Sequence, residues 1–132
     1  MDIVQTYTHT ISALGAMALL MLLQLLVADV VGIRSKHVPG SLVNTGHGDL
    51  LFRTSRTVAN TNESIAILVL ATIFCMFSNA APTYTAYAVW GFVIARALYA
   101  LFYYTNLQIM RSVIFGISLL CLAALLVIGV ST

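Results

Sequence analysis

Arg56, Asn60 and Glu63, in the stretch Arg56-Thr-Val-Ala-Asn60-Thr-Asn-Glu63, are the residues of this chain best suited to hold a charged ligand. A guanidinium reads carboxylates as a planar fork of donors. A carboxylate beside a side-chain amide can take the ammonium or amide groups of the same molecule. The spacings of four and three put all three side chains on one face of a helix. An uncharged run from Ser64 to Ala95 follows directly, so this polar stripe lies at the edge of a membrane or just inside it. Ionisable groups at that depth are costly and mark cavities or seams between proteins.

A second helix repeats the pattern. Arg96, Tyr99 and Tyr103 follow i, i+3, i+7 and share a face. Arg34 closes an earlier apolar run, and Arg111-Ser112 opens the last one. Several arginines and one carboxylate thus converge, and a set with more arginines than acids suits an anionic ligand. A short peptide with two terminal carboxylates and one free amine satisfies it. Tyr99 and Tyr103 add hydroxyls, and their rings can pack against an apolar co-substrate. The competing reading pairs Glu63 with Arg56 or Arg96 as glue between helices, which leaves the other arginines without partners. Arg34, Lys36 and Arg53 also read individually as topology anchors at the headgroups. His9, His37 and His47 show no metal or catalytic spacing and read as solvated or interfacial, so no metal is expected. Cys75 and Cys121 lie in apolar runs and read as packing residues.

The elements that must position these groups are set by composition. Of 132 residues, 61% are hydrophobic and 8% charged, with a mean hydropathy of +1.00. This excludes an ordinary soluble globule. Four segments, near residues 6–33, 50–78, 84–106 and 109–131, are long enough to cross a bilayer. Spanning backbone must satisfy its own hydrogen bonds, so they are helices. The expected fold is a single all-α domain over residues 1–132, an integral-membrane four-helix bundle of up-down topology.

Arg34, Lys36, Arg53, Arg56 and Arg111 flank the first and third loops, whereas both chain ends and the second loop carry no Lys or Arg. The positive-inside rule puts both ends outside and the basic loops in the cytoplasm. Met1-Asp2-Ile3 lacks a basic n-region, which argues against a signal peptide. The few basic residues hug helix ends, so no nucleic-acid partner is expected. Val38-Pro39-Gly40-Ser41 and Thr45-Gly46-His47-Gly48 mark an irregular first loop, and Asp49 fits the N-cap of the second helix. Asn79 and Pro82 break the chain between helices two and three, where Tyr84, Tyr87 and Trp90 form an interfacial aromatic belt.

These motifs resemble those of the membrane-associated proteins in eicosanoid and glutathione metabolism, the MAPEG family. Its helix-two signature Arg-x-x-x-Asn-x-x-Glu is matched by Arg56, Asn60 and Glu63, and its helix-three pattern by Arg96, Tyr99 and Tyr103. Arg111-Ser112 matches the start of helix four, and Arg34 the basic end of helix one. Thr57-Val58 and Ala59 depart from common family residues, and no proline follows Glu63 closely. Those departures leave the subfamily open.

The resemblance implies a homotrimer, embedded in a bacterial inner membrane or an endomembrane, with glutathione between neighbouring subunits near the cytoplasmic face. By position, Arg34, Arg56, Asn60, Glu63, Arg96, Tyr99 and Tyr103 belong to the tripeptide site, with Arg111 and Ser112 beside the thiol. A guanidinium there lowers the thiol pKa and favours the thiolate, which attacks a lipophilic electrophile arriving through membrane lipid. The expected function is therefore a glutathione-dependent transferase or peroxidase of detoxification type. Two alternatives use the same residues: a non-catalytic lipid-binding or scaffold protein of the same fold, and a small proton-coupled exporter working through Glu63.

Overall fold

A computed structural model describes residues 2–132, all of them helical or in the connections between helices. A single-turn helix, α1 (Ile3–Thr6), precedes four long ones: α2 (Thr8–Arg34), α3 (Leu50–Phe77), α4 (Pro82–Tyr104) and α5 (Gln108–Val130). All four long helices are apolar and long enough to cross a membrane. The expected all-α four-helix bundle is the observed one, with α1 added at its start.

Local chemistry sets the helix ends. Asp49 caps α3, its carboxylate accepting from the Leu51 N–H at 3.2 Å. Pro82 opens α4, where its missing N–H costs nothing. Helices α2, α3 and α4 end alike: Lys36, Asn79 and Asn106 each take a left-handed φ of 55–59°. The next residue's N–H then reaches back five positions, His37 to Gly32 at 3.0 Å, and Ala80 to Cys75 and Leu107 to Phe102 at 2.9 Å. This closure satisfies the carbonyls a helix terminus leaves open. After α3 and α4 it lets the chain reverse within a few residues.

Helices α2 and α5 each pack against both α3 and α4, which also pack against each other. The apolar core runs through Met17, Leu68, Val89, Phe92, Leu122 and Leu125. On α3 the buried face reads Thr54, Thr57, Thr61, Ser64, Leu68, Ala71, Thr72 and Cys75. Such small side chains allow close helix approach. The Thr54, Thr57, Ser64 and Thr72 hydroxyls bond carbonyls of their own helix, so they are buried without penalty. At the end holding both termini, the buried Tyr7 hydroxyl donates to the Ala80 carbonyl at 2.6 Å and ties α2 to the α3–α4 turn. Tyr84 and Tyr87 stand exposed on α4 near that end, as an aromatic belt requires.

The charges divide unequally between the two ends. All six Lys and Arg lie in the half holding the first and third loops, together with Asp29, Asp49 and Glu63, whereas Asp2 lies at the other end. Helix α3, at about 1.5 Å per residue, is about 42 Å long against about 30 Å of hydrocarbon. Counting about 30 Å back from Phe77 puts the boundary near Val58. Arg53 and Arg56 therefore sit at the headgroups, and Asn60 and Glu63 just inside the apolar layer.

Candidate functional site

The stripe on α3 is divided between surface and interior. Arg56 and Glu63, 46% and 62% exposed, lie on the outer surface of the bundle with Arg56 Nη2 3.9 Å from Glu63 Oε1. That is the pairing of the glue reading, but at this separation and exposure it holds little. Asn60, between them along the helix, is half-buried and turned towards α4.

There it meets Arg96, whose side chain is fully buried. Arg96 Nη2 donates to Asn60 Oδ1 at 2.6 Å and to Thr61 Oγ1 at 3.1 Å. A guanidinium has five N–H donors and no acceptor. The other three, on Nε and Nη1, have no hydrogen-bond partner. They are accommodated instead by aromatic faces: the guanidinium carbon stands 4.4 Å from the Tyr99 ring centre and 5.9 Å from that of Phe115 on α5. Among the described residues no carboxylate hydrogen-bonds or ion-pairs with Arg96, so the bundle carries a buried cation with no directly bonded anion. Because Arg96 can only donate, the Asn60 oxygen must face it, which leaves the Asn60 NH₂ free to donate elsewhere.

A second group forms nearer the end of the bundle. The Arg111 guanidinium lies 4.3 Å from the centre of the Tyr103 ring, joining α5 to α4. Tyr103 meets Tyr99 edge-on at 5.6 Å, so the arginines of α4 and α5 are linked through two tyrosines. The Tyr103 hydroxyl is 3.2 Å from His47 Nε2, and the two rings stack with centres 5.8 Å apart. His47 is half-buried and anchored: Arg53 Nη1 donates to its carbonyl at 2.7 Å, and Phe52 meets its ring edge-on. Of the solvated or interfacial reading, the interfacial half describes His47: the first loop folds back across α3 and α4 and holds it at the headgroup level of Arg53.

Asn60, Arg96, Tyr99, Tyr103 and Arg111 are thus brought into one connected group, with Arg56 and Glu63 on the adjoining surface. Arg34 and Ser112 are not part of it. Arg34 is exposed at the last position of α2 and makes no ion pair among the described residues. The Ser112 hydroxyl is exposed and donates to the Gln108 carbonyl of its own helix at 3.0 Å. Among the described residues no group of three or more His, Cys, Asp or Glu is placed to hold a metal ion. Cys75 donates to the Leu125 carbonyl, and both cysteines are free.

Gln24 and Thr61 join the group without having been singled out from the sequence. Thr61 Oγ1 donates to Gln24 Oε1 at 2.8 Å, and Gln24 is 2% exposed. The signal for Gln24 existed: it is the one amide in the apolar run from Ala13 to Ala28. For His47 no such signal exists, since a loop has no periodicity to fix which way a side chain turns.

Fold and site together define a small integral-membrane helical bundle with a cation-rich polar group at one end. The model of the MAPEG family matches residues 12–131, nearly the whole chain. The chain belongs to the MAPEG family. No curated protein and no solved structure matches it.

Proposed function

We propose that this protein is a glutathione-dependent membrane transferase, with peroxidase chemistry open to the same thiolate. The observation that carries this reading is the excess of guanidinium over carboxylate around the Asn60–Arg96–Tyr99–Tyr103–Arg111 group, with an Asn60 NH₂ held outward by Arg96. Family membership supports glutathione as the co-substrate. Arg56 and the Asn60 amide take the carboxylates of the tripeptide, Glu63 its ammonium group, and Tyr103 an acceptor on its backbone. Arg34 and Ser112 join from outside the group described above, Arg34 from a neighbouring subunit.

Arg56 and Glu63 form only one wall on the surface of a single chain. A second copy supplies the other, within a homotrimer. By the positive-inside rule the site faces the cytoplasm. Arg111 stands beside the glutathione sulfur and favours the thiolate. The thiolate forms a C–S bond to the electrophilic carbon, and the leaving group departs with its electron pair. Tyr99 and Tyr103, both buried, keep water from the sulfur.

The purified protein should conjugate glutathione to an aryl halide with saturable glutathione dependence, and glutathione should raise its Tm. Absence of both turnover above background and a glutathione-dependent Tm shift would sink the proposal. A Tm shift without turnover would instead identify a binding protein of this fold.

A further inference from the structure

We propose that Gln24, deep in α2 and away from the ligand-facing surface, is a positioning residue that fixes the polarity of the glutathione site. It acts through Thr61 and Arg96 on Asn60, and it rests on the functional reading above. Its Oε1 accepts from Thr61 Oγ1 at 2.8 Å. A hydroxyl has one proton, so giving it to Gln24 turns its lone pairs towards Arg96. Arg96 Nη2 uses one hydrogen on Thr61 and the other on Asn60 Oδ1.

The order is therefore fixed from α2 across α3 to α4 and back. Arg96 can only donate, so Thr61 and Asn60 both accept from it, and the Gln24 oxygen takes the proton that Thr61 has left. The Asn60 NH₂ is then the group left to meet a carboxylate. Nothing else holds the guanidinium by hydrogen bonds, since Nε and Nη1 have no partner. The Gln24 oxygen is thus the terminal acceptor of the only hydrogen-bonded series that fixes Arg96 among the described residues.

Without that oxygen the Thr61 side chain is free to rotate about χ1 and bond a carbonyl of its own helix, as Thr54, Thr57 and Thr72 already do, which carries its oxygen away from Arg96. Arg96 then keeps one orienting bond of two, and where its guanidinium swings off Asn60 the amide is no longer made to show it the oxygen and can turn that oxygen outward, which repels a carboxylate. Gln24→Leu removes the acceptor at similar size, and Gln24→Glu retains it.

Steady-state kinetics with glutathione and an aryl halide test this. Gln24→Leu should raise KM for glutathione about tenfold, with kcat and the KM for the halide changing less than about twofold. Gln24→Glu should restore KM to within about threefold of wild type. Thr61→Val, which removes the intermediate hydroxyl, should reproduce the Gln24→Leu effect, and it serves if Gln24→Leu does not fold. An unchanged glutathione KM in Gln24→Leu, or failure of Gln24→Glu to restore it, overturns the proposal, as does an equal change in both substrates' KM. A readout without glutathione separates this from the functional reading. With ¹⁵N-arginine labelling, the Arg96 Nη2 protons should exchange slowly in wild type and rapidly in Gln24→Leu. Equal exchange in the two overturns the relay even if glutathione binds; if wild type binds no glutathione, the functional reading fails instead.

Discussion

Replacing Arg111 by alanine removes the cation assigned to the thiol while leaving the rest of the group in place. Its guanidinium rests on the Tyr103 ring at 4.3 Å and is half-buried. A sulfur bound about 5 Å from that charge, at an effective dielectric of about 20, gains about 3 kcal/mol as thiolate. Solvent at this partly exposed position halves that to about 1.5–2 kcal/mol, or a pKa lowered by about 1–1.5 units. Taking a free thiol of about 8.5, the bound thiol should titrate at about 7–7.5 in wild type and at about 8.5 in Arg111→Ala. With the larger shift, the thiolate fraction at pH 7 falls from about one half to about 3%, a loss of about fifteenfold. The more basic thiolate of the variant is intrinsically about fivefold more nucleophilic, so the net loss at neutral pH is about threefold. Above pH 9 both sulfurs are ionised, and the variant should be as fast as wild type or faster. The assay is the ultraviolet absorbance of bound thiolate against pH, paired with the pH dependence of kcat. Arg111→Lys should retain most of the shift. Identical thiolate titrations in wild type and Arg111→Ala would refute the assigned role, as would a rate deficit that does not shrink with rising pH.

Three further variants separate binding from stability. Glu63→Ala should raise KM for glutathione by about tenfold and leave Tm nearly unchanged, because its exposed 3.9 Å pair with Arg56 is worth at most about 1 kcal/mol; a large Tm loss with intact KM would reassign Glu63 to the fold. Arg96→Met should leave Tm equal or higher, since an unpaired buried cation is replaced by apolar volume, while calorimetry shows weaker glutathione binding. Undiminished binding would remove Arg96 from the site. Tyr7→Phe should destabilise the bundle by about 1–3 kcal/mol in thermal or denaturant unfolding, because it orphans the buried Ala80 carbonyl; its glutathione KM should not move.

Much of the fold was legible because a membrane leaves few choices. Long apolar runs had to become helices, and Asn79 and Pro82 marked the break between two of them. The separate turn α1 was not legible: Tyr7 leaves helical geometry at φ −109° and ψ 27°, and its hydroxyl bonds the Ala80 carbonyl, a contact 73 residues away in sequence that no local pattern announces. Spacing likewise put Arg56, Asn60 and Glu63 on one face but could not say which bundle partner Asn60 meets. That depends on how α4 is rotated, and its rotation buries Arg96 against Asn60 and Thr61. Gln24 was visible as a costly amide in an apolar run, yet its partner on α3 follows only from packing. His47 lay in a loop whose return path no local pattern dictates, and Arg53 and Tyr103 hold it there.

The central claim is that this cation-rich end of the bundle binds glutathione through its carboxylates. Titration calorimetry of the protein in lipid nanodiscs tests it most directly, comparing glutathione with its diethyl ester. Saturable glutathione binding at one site per subunit, with the ester at least about tenfold weaker, is the expected result. No heat of binding for glutathione, or equal affinity for the ester, would contradict it.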